Sequence, residues 1–85
     1  MDIVWHKRAI KQLMKLKNTK AQADIRNSVK TELVNYKTSH RVKPLINHAC
    51  DYRLRVGNYR VFFNANDVAQ IISIEEVKKR DERTY

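Results

Sequence analysis

The sequence has one cysteine, one proline and one glycine among 85 residues, and each scarcity removes a class of explanation. With Cys50 alone, no disulfide can close within the chain, and no metal site can draw on two cysteines. Cys50 is expected to be a small buried hydrophobe. A single glycine leaves no GxxxxGK[ST] loop, so nucleoside-triphosphate chemistry has no motif here. His6, His40 and His48 stand at no ligand spacing and no carboxylate cluster accompanies them, so neither a metal nor another cofactor is expected. No run approaches the roughly 20 apolar residues that span a bilayer. Ile3-Val4-Trp5 follows Met1-Asp2 without the apolar core of a secretory signal. A cytoplasmic protein with no membrane attachment is the expectation.

What is present is small and basic. A chain that is 42% hydrophobic and 32% charged fits a compact folded protein. Residues 1–85 are expected to form one domain, since either half would be too small to bury its own core. Lys and Arg outnumber Asp and Glu by 18 to 9, a net charge of +9, which calls for an anionic partner. Residues 1–42 carry ten Lys/Arg against three Asp/Glu and residues 43–85 carry eight against six, so the first part supplies most of the field.

Ile3-Val4-Trp5 reads as a short N-terminal strand. Ile10, Leu13 and Met14 at i, i+3 and i+4 predict an amphipathic helix over about residues 6–17, with Lys7, Arg8, Lys11 and Lys15 on its outer face. Thr19 followed by Gln22 matches a capping box. A second helix begins there, and Ala21, Ile25, Val29 and Leu33 form its apolar stripe, running to about Tyr36. So short a turn predicts an antiparallel helix pair. Residues 37–49 read as an irregular connector, with Pro44 forbidding a helix, Lys43 biased towards extended backbone, and Leu45 and Ile46 as anchors.

The remainder reads as strands. Tyr52 to Val56 and Tyr59 to Asn64 alternate on either side of Gly57-Asn58, a two-residue hairpin turn. That turn sets the register: Arg55 faces Arg60, Leu54 faces Val61, Arg53 faces Phe62 and Tyr52 faces Phe63. Tyr52, Leu54, Val56, Tyr59, Val61 and Phe63 then form the core face, and Arg53, Arg55, Arg60 and Phe62 the other. Two arginines directly opposite repel by some tenths of a kcal/mol up to about 1 kcal/mol, which points to an anion on that face. A turn over Asn64 to Asp67 leads to a strand from Val68 to Val77, in which Ile72 and Ile74 alternate while Val77 breaks the parity, pointing to a bulge near Glu75-Glu76 or to the end of pairing. The chain continues in a mixed-charge segment from Lys78 to Tyr85. Arginine's planar fork suits phosphate, and aromatics such as Phe62 or Tyr85 beside it suit an unstacked base. Single-stranded or looped RNA is favoured over duplex DNA.

Val42-Lys43-Pro44-Leu45, then Asp51-Tyr52-Arg53-Leu54-Arg55-Val56-Gly57-Asn58-Tyr59-Arg60-Val61-Phe62-Phe63, then Lys79-Arg80 and Tyr85 resemble the RelE branch of the RelE/ParE toxin superfamily over nearly the whole chain. The resemblance implies an α+β fold: an N-terminal strand and an antiparallel helix hairpin packed on a small antiparallel sheet, the RelE-like, microbial-RNase-like architecture. It implies the toxin of a type II toxin–antitoxin pair, a ribosome-dependent endoribonuclease that cuts mRNA in the ribosomal A site by attack of the ribose 2′-oxygen on phosphorus. Its implied partners are a cognate antitoxin, the ribosome with its rRNA, and mRNA.

By position, Arg60 holds the scissile phosphate, Arg80 stabilises charge or assists the leaving group, and Tyr85 stacks on or orients the substrate. Arg53 and Arg55 stand where relatives carry lysines and complete the catalytic set. RNA contacts are expected from Arg53, Arg55, Arg60, Phe62, Lys78, Lys79 and Arg83. Arginine does not accept a proton, so the general base is sought elsewhere. His48, whose side chain type titrates near neutral pH, is the candidate, with Glu75, Glu76, Lys78 and Tyr85 behind it. The competing readings are a gyrase inhibitor of the ParE kind and a non-catalytic RNA- or DNA-binding module.

Overall fold

The computed structural model of the chain describes residues 1–80. Strand β1 (Asp2–Trp5) is followed by helices α1 (Lys7–Met14) and α2 (Thr19–Glu32), a 3-10 turn (Leu33–Asn35), and strands β2 (Val42–Pro44), β3 (Tyr52–Val56), β4 (Tyr59–Asn66) and β5 (Ile71–Lys79). The five strands make one sheet in the order β1-β5-β4-β3-β2. All neighbours are antiparallel except β1, which joins β5 in parallel. The sheet is therefore mixed, its parallel pair being the one whose strands are joined by the whole intervening chain. Among the described residues no helix is long and apolar enough to cross a membrane.

Both helices contribute to the core on one side of the sheet, α1 lying against β5 and α2 against β3. The α2 stripe is as its four-residue spacing requires: Ala21, Ile25, Val29 and Leu33 are all buried, and so is Tyr36. α1 is shorter than expected and rotated. His6 lies outside the helix as its N-cap, accepting from the Arg8 N–H at 3.1 Å. Ala9 and Leu13 are buried, while Ile10 and Met14 are 41% and 67% exposed. A small residue at position 9 lets the helix approach the sheet, which brings Ala9 rather than Ile10 to the floor. The α2 cap is Asn18, whose side chain accepts from Ala21 N–H at 3.1 Å, and Gln22 reaches back to the Leu16 carbonyl instead of closing a capping box.

The hairpin register matches the sequence reading at all five pairs from Tyr52↔Phe63 to Val56↔Tyr59. Of the two central turn residues only Gly57 has a positive φ, +56°, which is the II′ pattern with glycine first. Leu54, Val61 and Phe63 are fully buried. The parity break falls where expected: Phe62 pairs with Glu76 and Phe63 with Ile74, so Glu75 is the extra residue of a bulge. Ile72, Ile74 and Val77 can then all face the core. Gln12 of α1 accepts the Val77 N–H at 2.6 Å just beyond the bulge.

Three boundaries differ from expectation. The connector holds a short strand, β2, which Pro44 permits because it ends an edge strand that needs no further donor. β4 runs on to Asn66 and β5 begins at Ile71, the turn between them exposing Val68 almost completely. Ile46 is 88% exposed and anchors nothing. Val42 and Cys50 are the buried residues of the connector and its end. Burial, with Glu75, Glu76 and Asp51 adding to it, pushes the Cys50 thiol up, which suits an inert core cysteine.

Tyr36 closes the core beneath β3 and β4, edge-on to Tyr52 (5.2 Å) and Phe63 (6.1 Å). Its hydroxyl donates to Asp67 at 2.9 Å. Burial, then the bond to and charge of Asp67, push the Tyr36 pKa up to about 12, while Tyr36 and Lys37 hold Asp67 below its ordinary value. The folded tyrosine pKa exceeds the unfolded value near 10, so its contribution is intact below pH 10 and is lost as pH rises through 12. An absorbance titration should show one tyrosine ionising near pH 12, and Asp67→Asn should move that midpoint down. Phe63→Ala, which empties the centre of the core, should cost about 3–5 kcal/mol in denaturant unfolding.

Candidate nucleic-acid interface

The face of the sheet turned away from the helices is set by register. Lys43, Arg53, Phe62 and Glu76 stand side by side across β2, β3, β4 and β5, and Arg55, Arg60 and Lys78 form the next row across β3, β4 and β5. Strand alternation therefore gathers five cationic side chains, one aromatic ring and one carboxylate. The carboxylate is paired: Lys78 Nζ lies 3.7 Å from Glu76.

This face is not an open surface. The segment around β2 folds along one side and Arg80 along the other, so that His40, Arg41, Lys43, Leu45, His48, Arg53, Arg55, Arg60, Phe62 and Arg80 line a single concave pocket. Arg53 is half-buried and Arg55 exposed, but Arg60 is only 7% exposed, so it belongs to the floor and not to a solvated basic patch. Its Nη1 donates to the Gly57 carbonyl at 3.0 Å and to the Tyr59 carbonyl at 2.9 Å. The same turn holds the other arginine, the Arg80 N–H donating to the Asn58 carbonyl at 2.6 Å. Three consecutive carbonyls of the hairpin turn thus anchor the floor and the rim of the pocket.

The connector is pinned as firmly. Arg41 donates from Nε to the Arg55 carbonyl at 3.0 Å and from Nη2 to Ser28 at 3.1 Å, with Glu32 at 3.9 Å. It thereby ties the hairpin to α2. Asn47 adopts a left-handed φ of 54°, and His48 accepts the Cys50 N–H on Nδ1 at 2.9 Å. The imidazole lies flat on Phe62, with ring centroids 5.0 Å apart and planes 10° from parallel.

Of the residues singled out in the sequence, the structure brings together Arg53, Arg55, Arg60, Phe62, His48 and Arg80, with Lys78 beside them. Phe62 is a covered ring: His48 stacks on it and Lys78 Nζ lies 6.0 Å from its centroid, so the imidazole takes the position expected of an open Phe62 platform. Lys79 stands opposite Tyr59 and so takes the helix side of the sheet, because strand parity turns it away from Lys78. Glu75, the bulge residue, accepts from the Ser73 hydroxyl. Arg83 and Tyr85 lie outside the described residues. His40, Arg41 and Lys43 were missed as pocket residues. Strand β2 is the signal that would have found Lys43, since it places that residue opposite Arg53. Among the described residues no three His, Cys, Asp or Glu side chains come together as a metal site. Chemically, the pocket offers several planar guanidinium donors at fixed positions, suited to an extended phosphate-bearing strand.

No protein-family model matches the sequence, and no curated protein does. Solved structures do. The toxin–antitoxin complex RelBE2 of Mycobacterium tuberculosis is similar over 93% of this chain and 96% of its own, with a TM-score of 0.79 and 22% identity. The archaeal RelE–RelB complex of Pyrococcus horikoshii is similar over 95% and 96%, with a TM-score of 0.66 and 27% identity. A YoeB/ParE toxin of Agrobacterium tumefaciens matches over 95% and 100%, with a TM-score of 0.75 and 10% identity. Strand, helix pair and mixed sheet agree with these structures along nearly their whole length, and this chain has the fold of the RelE/ParE toxin superfamily in its RelE form.

Proposed function

We propose that the protein is the toxin of a type II toxin–antitoxin pair and acts as a ribosome-dependent endoribonuclease on mRNA. The observation that carries the reading is the pocket in which Arg53, Arg55, Arg60 and Arg80 converge. The likeness to RelE structures solved with RelB antitoxins supports it. The RelE reading is favoured over gyrase inhibition because an arginine-lined phosphate pocket has a role in RNA cleavage and none is required for binding gyrase.

Cleavage by 2′-oxygen attack leaves a 2′,3′-cyclic phosphate and a free 5′-hydroxyl. It asks for a proton acceptor, for stabilisation of the charge that builds on the phosphorane oxygens, and for a proton on the departing 5′-oxygen. Arg60 is suited to the second task. Its guanidinium is held by the turn carbonyls, so it needs no reorganisation as the charge develops, and its site is shielded from water. Arg80, tied to the same turn, serves the charge or the leaving oxygen, and Arg53 and Arg55 hold flanking phosphates. The acceptor in this reading is Glu76, the carboxylate that stands in register opposite Phe62 on the same face. The cations around it lower the cost of the alkoxide it helps to form. The exposed Lys7, Arg8 and Lys11 of α1, with Lys15 at its C-cap, provide a docking field for rRNA, and a short acidic antitoxin segment fits a protein of net charge +9.

Primer extension on cellular mRNA after induction should show cuts within translated codons. Arg60→Ala should abolish them, since loss of one preorganised charge-stabilising donor costs about 10²–10³ in rate; growth arrest with intact transcripts would refute the reading. Glu76→Gln, which keeps the shape and removes the acceptor, should slow single-turnover cleavage on programmed ribosomes by about 10²–10⁴.

A further inference from the structure

The connector histidine has two features that the cleavage reading does not use. Its ring covers Phe62 in near-parallel stacking, and its Nδ1 accepts the N–H of Cys50 two residues on. The side chain is nonetheless exposed and lines the arginine pocket. One ring face is therefore occupied and the other is presented beside the guanidinium groups.

The hydrogen bond also assigns the proton. A nitrogen that accepts must hold its lone pair in the ring plane, so in the neutral imidazole the hydrogen sits on Nε2. A general base at Nε2 would need a lone pair there. In this tautomer Nε2 is a donor, and no group among the described residues accepts from it. The geometry of the loop maintains this arrangement. Asn47 in the left-handed region sets the direction of the chain, and the His48–Cys50 bond has the i to i+2 span of an Asx turn.

We propose that His48 is the base-recognition residue of the pocket: its outer ring face stacks an unpaired RNA base while the arginines hold the adjoining phosphates. The identity of the ligand as RNA rests on the function proposed above. The assignment goes beyond that function by separating base recognition, on His48, from proton transfer. Phe62 acts as a positioning residue, backing the imidazole so that it offers a rigid plane.

The test compares a six-nucleotide single-stranded RNA with an abasic ribose-phosphate oligomer of the same length, binding to the isolated full chain by fluorescence anisotropy. The wild type should bind the RNA more tightly by roughly 5- to 150-fold, the range of one stacked base. His48→Asn keeps an oxygen acceptor for the Cys50 N–H but has no ring. It should erase the preference while affinity for the abasic oligomer and the melting temperature stay as in the wild type. His48→Phe keeps the plane and should retain most of the preference. An unchanged preference in His48→Asn overturns the proposal. So does a loss of binding to both oligomers with an unshifted melting temperature, which would make His48 a determinant of backbone binding. On programmed ribosomes His48→Asn should raise KM without moving the pH profile. A 100-fold fall in kcat with loss of one limb of that profile would make His48 a base and also overturn it. Because binding is read without ribosomes, a chain that recognises bases through His48 yet leaves mRNA intact refutes the cleavage reading and leaves this one standing.

Discussion

A two-residue turn with glycine first allows its flanking strands one register, and that register decides which side chains meet water and which meet the helices. In this protein the turn at Gly57-Asn58 fixes the alternation of β3 and β4, and both faces of the sheet inherit it. A slip of one residue would invert one strand against the other, driving either Arg53 and Arg55 or Arg60 into the core and putting either Leu54 or Val61 and Phe63 outside. The same turn then acts a second time, through its carbonyls, which hold the Arg60 guanidinium and the Arg80 backbone.

Stability and charge are divided between the faces. On the helix side, Phe63, Ile25, Leu33, Leu54, Ile72, Ile74, Val29 and Val61 are essentially removed from water, and each such side chain contributes roughly 1.5–3 kcal/mol. On the other side Arg55 faces Arg60, Arg60 faces Lys78, and Lys43 faces Arg53, each opposition costing up to about 1 kcal/mol. The apolar face outweighs the cationic one by a wide margin, so the fold can hold a cluster of like charges together in the absence of any ligand. The Glu76–Lys78 pair, half in solvent, relieves little of that repulsion.

The features legible in the sequence are those carried by local periodicity. The α2 stripe, the hairpin register and the bulge at Glu75 follow from spacings of four and two, and all three recur in the structure. What could not be read depends on long-range contact. Ala9 displaces Ile10 from the core because α1 must approach β5 closely, a constraint set by a strand more than sixty residues away. β2 is three residues long and has no periodicity to detect; it exists because β3 supplies its partner. One wall of the pocket likewise depends on the connector, which is held by Arg41, whose bonds reach α2 and β3 at once. The arginine face was visible as a set of residues, but its shape as a pocket was not. The imidazole covering Phe62 belongs to the same class, since nothing in the intervening residues signals that His48 turns towards β4.

The parallel pairing of β1 with β5 has a consequence in time. Among the described strands β1 pairs with β5 alone, with Asp2 opposite Ile71 and Trp5 opposite Ile74, so the contacts that close the sheet join residues far apart in the chain. Such pairings are slow to form and cannot begin until β5 has been synthesised. Lys78 and Arg80 arrive with that strand. A chain in which β5 has not yet been made lacks Lys78 and Arg80 and so cannot display the finished anion pocket.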